Sequence, residues 1–207
     1  MTNFIPIFPV STVVYPNETI NLHIFEPKYI QLINECFETN KVFGIPVIIN
    51  NTIAEMGTTL KVNSIIKKYD DGKLDIITEG VDVFSILEII HIIPNKLYSG
   101  AIVTYPENEK GLLTNKMKQI YKQVLALHKF LQVTKKFKRE VEEMISYDIA
   151  HHICLSVEEE YNLLQLLKEN QRLEFLKRHL LKMLQTMQQT EKLKEKIKLN
   201  GHFRELR

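Results

Sequence analysis

The chain has 207 residues, 44% hydrophobic and 25% charged, with a formal net charge of +2, which excludes both a small disulfide-stapled scaffold and a polar disordered chain. Two cysteines, Cys36 and Cys154, with no Cys-x-x-Cys pair, exclude a disulfide framework and point to a reducing, cytoplasmic setting. No Lys or Arg precedes Lys28, three prolines punctuate the opening residues, and no apolar run reaches the roughly 18 residues that cross a bilayer, so neither a signal peptide nor membrane contact is expected.

The first half reads as β structure. Runs at 4–8, 20–24, 42–49, 60–66, 74–78, 81–93 and 99–105 are rich in β-branched residues and bounded by turn residues. Between two of them stand Asp70, Asp71, Gly72 and Lys73; a glycine there takes the positive φ of a tight turn and predicts an antiparallel hairpin. One helix interrupts the strands. It starts at Pro27, whose fixed φ and missing N–H suit a first helical position, with Glu26 at the positive end and Tyr29, Ile33, Cys36 and Phe37 on one face. Alternation is imperfect through 81–93, which implies burial on both faces or a bulge, as in a closed small barrel.

Near residue 106 the punctuation changes: all seven prolines lie at or before Pro106. A β-rich part over 1–106 is therefore expected to precede a helical part over 107–207. The halves also differ in charge, since residues 1–105 hold 7 basic and 11 acidic side chains, net −4, and the remainder 20 and 14, net +6. The basic residues downstream are interleaved with Glu, the pattern of a solvated helical face.

In the second half the period becomes 3.6. Leu113, Met117, Ile120, Val124, Leu127 and Leu131 form one stripe, and Phe137, Val141, Ile145, Ile149 and Ile153 another, predicting two amphipathic helices. Ser156 and Glu159 make a capping box for a third. A fourth, after Asn170, carries Leu173, Leu176, Leu180, Leu184 and Met187, then loses its stripe over 191–198, where its end is expected to fray or stand in solvent.

Signatures of catalysis are missing. There is no Gly-x-x-x-x-Gly-Lys phosphate loop, no Gly-x-Gly-x-x-Gly, no Gly-x-Ser-x-Gly and no His-Glu-x-x-His. His151, His152 and Cys154 are ligand types for zinc, but adjacent helical positions point about 100° apart, so they do not converge. No metal or other cofactor is expected. His128 and His179 read as boundary side chains, and Cys36 as a small hydrophobe.

The segment FIPIFPVSTVVYPNETINLHIFEPKY, residues 4 to 29, is the most specific feature. With Phe43-Gly44-Ile45, Met56-Gly57-Thr58, Asp71-Gly72-Lys73, the stretch from Glu79 to Phe84, and Tyr98-Ser99-Gly100-Ala101, it resembles the N-terminal substrate-binding domain of the ATP-dependent Lon protease. Ile149-Ala150 and the stretch from Arg172 to Leu176 resemble that family's helical part. The resemblance implies an α+β fold: a β-rich pseudo-barrel similar to the PUA domain, with one inserted helix, followed by a helical bundle. It also implies a stand-alone module without the AAA+ and Ser-Lys protease domains, hence no enzymatic activity, that binds unfolded or hydrophobic polypeptide segments.

Such binding needs an exposed apolar surface, for which Val14, Tyr15, Pro16, Phe25 and Pro27 are the candidates; each also fits a core or turn role. Two other functions stay open. One is an adaptor or regulator of a separate protease. The other is RNA binding through a PUA-like domain, with Lys135, Lys136, Lys138 and Arg139 or Lys192, Lys194, Lys196 and Lys198 on phosphates; the net −4 of the β-rich part argues against nucleic acid there.

Overall fold

The structure is a computed structural model that describes residues 2–109 and 111–202, with side chains to residue 197. In chain order the elements are β1 (Thr2–Pro6), β2 (Thr19–Ile24), α1 (Pro27–Glu38), β3 (Phe43–Ile49), β4 (Thr52–Lys68), β5 (Leu74–Ile90), β6 (Gly100–Thr104), α2 (Thr114–Leu131), α3 (Tyr147–Ala150), α4 (Val157–Gln165) and α5 (Glu169–His202). They divide into two compact units: Met1–Lys110 with Leu155–Lys168, and Gly111–Cys154 with Glu169–Arg207.

In the first unit every strand pair is antiparallel, in the order β1-β6-β5-β4-β3, with β2 on β5. After Pro6 the chain runs beside β3 in parallel, bridging Ile7 to Gly44 and Val10 to Val47. The Phe8 N–H donates to the Gly44 carbonyl at 2.8 Å and the Ile48 N–H to the Val10 carbonyl at 2.7 Å. These contacts close the sheet into the expected small barrel. Closure requires local bending, and register shifts occur at Pro46/Ile48, at Thr58/Leu60 and at Ile86/Glu88. Inside lie Phe43, Leu60, Leu74, Ile76 and Phe84, all essentially inaccessible.

The runs 74–78 and 81–93, expected as two strands, are one continuous β5. Gly80 between them marks a close approach, not a turn. A Cβ there would lie 2.2 Å from the Tyr15 carbonyl oxygen, and Gly80 exchanges main-chain hydrogen bonds of 2.8 Å with Asn17 and Glu18. The 70–73 turn forms as predicted, with Gly72 at φ +86° and the Gly72 N–H donating to the Tyr69 carbonyl at 2.9 Å.

Pro27 opens α1 as expected, while the Glu26 carboxylate caps nothing and pairs instead with Lys28 at 3.0 Å. The buried face is Leu32, Ile33 and Cys36, and Phe37, expected there, is 43% exposed. Helix α4 starts with the full capping box: the Glu159 N–H donates to Ser156 Oγ at 3.2 Å and the Ser156 N–H to Glu159 Oε2 at 2.9 Å. Although it lies beyond residue 106, α4 belongs to the barrel unit, where Tyr15 Oη donates to the Glu160 carbonyl at 3.0 Å and the Met56 N–H to Tyr161 Oη at 3.2 Å.

In the second unit α2 buries Met117, Ile120, Val124, Leu127 and also His128, and ends at Gln132 in the left-handed conformation. Leu131, assigned to the stripe, is 39% exposed. The predicted helix along Phe137 to Ile153 does not form; only α3 is helical there. Four consecutive residues, Met144 to Tyr147, are buried, which one face of a helix cannot achieve. Beyond α3 the turn is pinned through its carbonyls, His128 Nε2 donating to the His152 oxygen and His179 Nε2 to the Ile153 oxygen, both at 2.9 Å. Helix α5 buries Leu173, Leu176 and Leu180 and continues to His202; residues 191–197 are helical and stand in solvent, one of the two outcomes expected for that end.

One pH effect arises here. The His152 ring packs 4.4 Å from Phe137 and 5.7 Å from His128. Burial, followed by the charges of Lys135, His128 and His151, lowers its pKa to about 4. An unfolded imidazole titrates near 6.5, so between those values the unfolded chain binds the extra proton and stability falls as pH falls. His152 is only partly buried, and the full shift is discounted for screening. Between about pH 7 and about pH 4.5 the protein is expected to lose about 1–2 kcal/mol more than His152→Phe; parallel pH dependences in chemical denaturation would contradict this.

Candidate functional site

Three of the five candidate contact residues are interior. Val14 and Tyr15 are 3% and 1% exposed, and Pro16 is buried. The reason is the crossing at Gly80: the 14–18 turn is threaded over the middle of β5 and held there. Thr58 Oγ1 donates to the Val14 carbonyl, and the Tyr15 N–H to Glu18 Oε2 at 2.9 Å. These residues shape the barrel and offer no contact area, which corrects the expectation that they form part of an exposed surface. Phe25, 59% exposed, and Pro27 do face solvent.

Phe25 does not stand alone. It directly follows β2, whose last turn outward is His23, and the two rings stack at 6.2 Å. Tyr69, the residue just after β4, meets His23 edge-on at 5.8 Å, and Lys67 Nζ lies 4.2 Å over the Tyr69 ring. Antiparallel pairing brings His23 opposite Asp75, and β4 pairs Lys67 with the same residue. The Asp75 carboxylate accepts from Tyr69 Oη at 2.7 Å and lies 2.6 Å from His23 Nδ1. The His23 contact, then the Tyr69 hydroxyl, hold the Asp75 carboxyl below its ordinary range, while Asp75 pushes the Tyr69 hydroxyl up. One carboxylate thus orients two rings beside a third. A fixed aromatic surface loses little rotamer freedom on contact.

On the other side of Pro27 the chain offers a second apolar feature. Tyr29 packs on Phe8 with ring centroids 4.0 Å apart, and Lys28 Nζ lies 4.6 Å over the Tyr29 ring. A recess of about 90 Å³ opens beside it, lined in part by Ile7, Pro9, Tyr29, Ile53 and Ile89. The stretch from Phe25 to Tyr29 therefore links an exposed aromatic cluster to a small recess whose lining also includes Lys28, His91 and Ser99. Only strand register brings His23 and Tyr69 to Phe25; the one local signal was the adjoining 70–73 turn, which fixes the β4–β5 register beside Tyr69 but not the β2–β5 register of His23.

Elsewhere the chemistry is modest. Cys36 is buried and its thiol is pushed up to about 11 by desolvation, which keeps it protonated and unreactive near neutrality. His151 and Cys154 are exposed, and among the described residues no three His, Cys, Asp or Glu side chains gather as a metal site would require. No helix among the described residues is long and apolar enough to cross a membrane. Lys135, Lys136 and Lys138 are exposed, while Arg139 lies 3.5 Å from Asp148. Lys192, Lys194 and Lys196 are exposed on α5, where i and i+2 point to opposite sides; the Lys198 side chain lies outside the described residues.

The first unit is thus a sheet of antiparallel strand pairs with an inserted helix, and an exposed aromatic cluster stands where β2 ends. The family described as the ATP-dependent protease La (LON) substrate-binding domain matches residues 5–199, and the chain belongs to that family. Among solved structures it is similar to a Lon N-terminal domain protein from Xanthomonas campestris, at 23% identity and a TM-score of 0.64, covering 84% of this chain and 96% of that one. It is also similar to the N-terminal domain of the Mycobacterium avium complex Lon protease, at 13% identity and a TM-score of 0.66, covering 86% and 98%. These likenesses support the α+β fold. The matched family is the substrate-binding domain, distinct from the ATPase and protease domains.

Proposed function

We propose that this chain binds unfolded or hydrophobic polypeptide segments through the surface around Phe25 and Pro27, without itself cleaving them. The observation that carries the reading is the exposed Phe25–His23–Tyr69 cluster, held in place by Asp75 in a chain of the LON substrate-binding family. Aromatic side chains supply large contact area at low entropic cost, and main-chain-rich unfolded segments expose the apolar side chains that folded proteins bury. Val14, Tyr15 and Pro16 contribute by holding the barrel beneath. Cytoplasmic placement and cooperation with a separate protease belong to the same proposal; the free, buried Cys36 thiol fits a reducing compartment.

Fluorescence anisotropy with labelled, reduced and carboxymethylated α-lactalbumin tests it, with the native disulfide-bonded form as the competitor. Binding is expected for the unfolded form, and Phe25→Ser should weaken it by about tenfold. Because Phe25 is mostly exposed, the same substitution should leave stability within about 0.5 kcal/mol. Equal affinity for native and unfolded forms would sink the proposal.

A further inference from the structure

We infer that β2 is an open sheet edge that takes up an extended polypeptide as an added antiparallel or parallel strand; this deepens the polypeptide-binding reading above and rests on it. β2 pairs with β5 over six consecutive residues, Thr19 to Ile24, without a register shift. Among the described residues no other strand pairs with it, and no other main-chain-to-main-chain hydrogen bond involves residues 19–24; the Thr78 hydroxyl also donates to the Ile20 carbonyl at 3.2 Å, from β5 itself. Along such an edge alternate N–H and C=O groups point away from the sheet, a ready template for another backbone.

Protein edges are ordinarily blunted by charge, proline, a bulge or a covering element. The other two edges of this sheet are defended in that way. β1 ends in Pro6 and its continuation closes onto β3, which carries Pro46 and a register shift. β2 reads Thr-Ile-Asn-Leu-His-Ile and has no Lys, Arg, Asp or Glu, no proline and no bulge. Its inward side chains are also incompletely covered: Ile20 and Leu22 pack against the core but remain partly exposed, whereas Ile24 is buried. A strand laid beside them, carrying apolar side chains at alternate positions, would finish that cover. Thr19, Asn21 and His23 face solvent on the opposite side.

The occupant follows from this chemistry. A main-chain ladder recognises any extended segment, with alternating apolar side chains adding to the affinity, and it rejects a folded domain whose backbone groups are already paired. The edge leads directly into Phe25, so strand and aromatic cluster form one continuous track.

The test uses the full, nitrogen-15-labelled chain and a short peptide alternating valine and threonine between terminal lysines, with two further versions N-methylated at alternate residues in either phase. Alternate β2 amides are expected to gain exchange protection with the unmodified peptide, and one methylated version should bind at least about tenfold more weakly. Equal affinity of all three would overturn strand addition while leaving the polypeptide reading intact. If neither the peptides nor carboxymethylated α-lactalbumin bind, the polypeptide reading fails and this inference with it. Protection of β2 amides in the free protein that rises with protein concentration would assign the edge to a second copy of the chain and overturn the inference.

Discussion

Arg172→Ala is expected to cost the helical unit about 3–5 kcal/mol, read from urea denaturation followed by far-ultraviolet circular dichroism. Arg172 is wholly inaccessible and Glu169 nearly so. The guanidinium donates to Glu169 Oε2 at 2.8 Å through Nη2 and to Ser146 Oγ at 2.8 Å through Nε, with its carbon 4.5 Å over the Tyr147 ring. Glu169 in turn accepts from the Ser146 N–H at 2.8 Å and the Ser146 hydroxyl at 2.7 Å. Truncating the arginine strands a carboxylate in the interior, and the penalty is that orphaned charge more than the lost attraction. Replacing Ser146, Glu169 and Arg172 together by Ala, Leu and Met should therefore recover most of the loss. The exposed Lys116–Glu174 pair, 3.1 Å apart, is the internal control: Lys116→Ala should cost less than about 1 kcal/mol. A loss of that small size for Arg172→Ala would show that the network is dispensable.

Gly80→Ala is the second large effect. The new methyl would stand 2.2 Å from the Tyr15 carbonyl oxygen and 3.1 Å from its carbon. The obstacle is backbone, which cannot rotate aside, and both Gly80 main-chain groups are engaged with the 17–18 segment. The turn from Val14 to Glu18 must lift off β5, at a cost of about 3 kcal/mol or more. Gly72→Ala separates space from backbone conformation: nothing lies within 4 Å of that Cβ, but φ is +86°, so only the conformational penalty of about 1 kcal/mol applies. Melting temperatures that rank the two variants equally would contradict this account.

The sequence made legible those features whose cause is local. Asp71 and Gly72 announce a turn because φ at one residue decides it. Ser156 and Glu159 announce a helix start because cap and partner are three residues apart. Pro27 does the same for α1. Less legible were features decided at long range. Gly80 resembles a strand terminator until Tyr15 is known to cross above it. The stripe from Phe137 to Ile153 has helical spacing, but buried Ser146 and the carbonyls taken by His128 and His179 hold that segment in turns. Of the residues proposed for the binding surface, Phe25 and Pro27 are exposed, whereas Val14 and Tyr15 share their apolar chemistry and are buried. Apolarity alone does not distinguish a contact from a core residue, and strand register, which unites His23, Tyr69 and Asp75, is not written in any one segment.

The barrel unit is discontinuous in the chain, since α4 joins it from beyond residue 154. On a ribosome that order has a cost in time. Tyr15 and Met56 emerge early, yet the partners that satisfy them, the Glu160 carbonyl and the Tyr161 hydroxyl, follow 145 and 105 residues later. Until α4 is translated the nascent sheet keeps an unsealed flank, so these two hydrogen bonds must wait until the residues of α4, Val157–Gln165, have emerged.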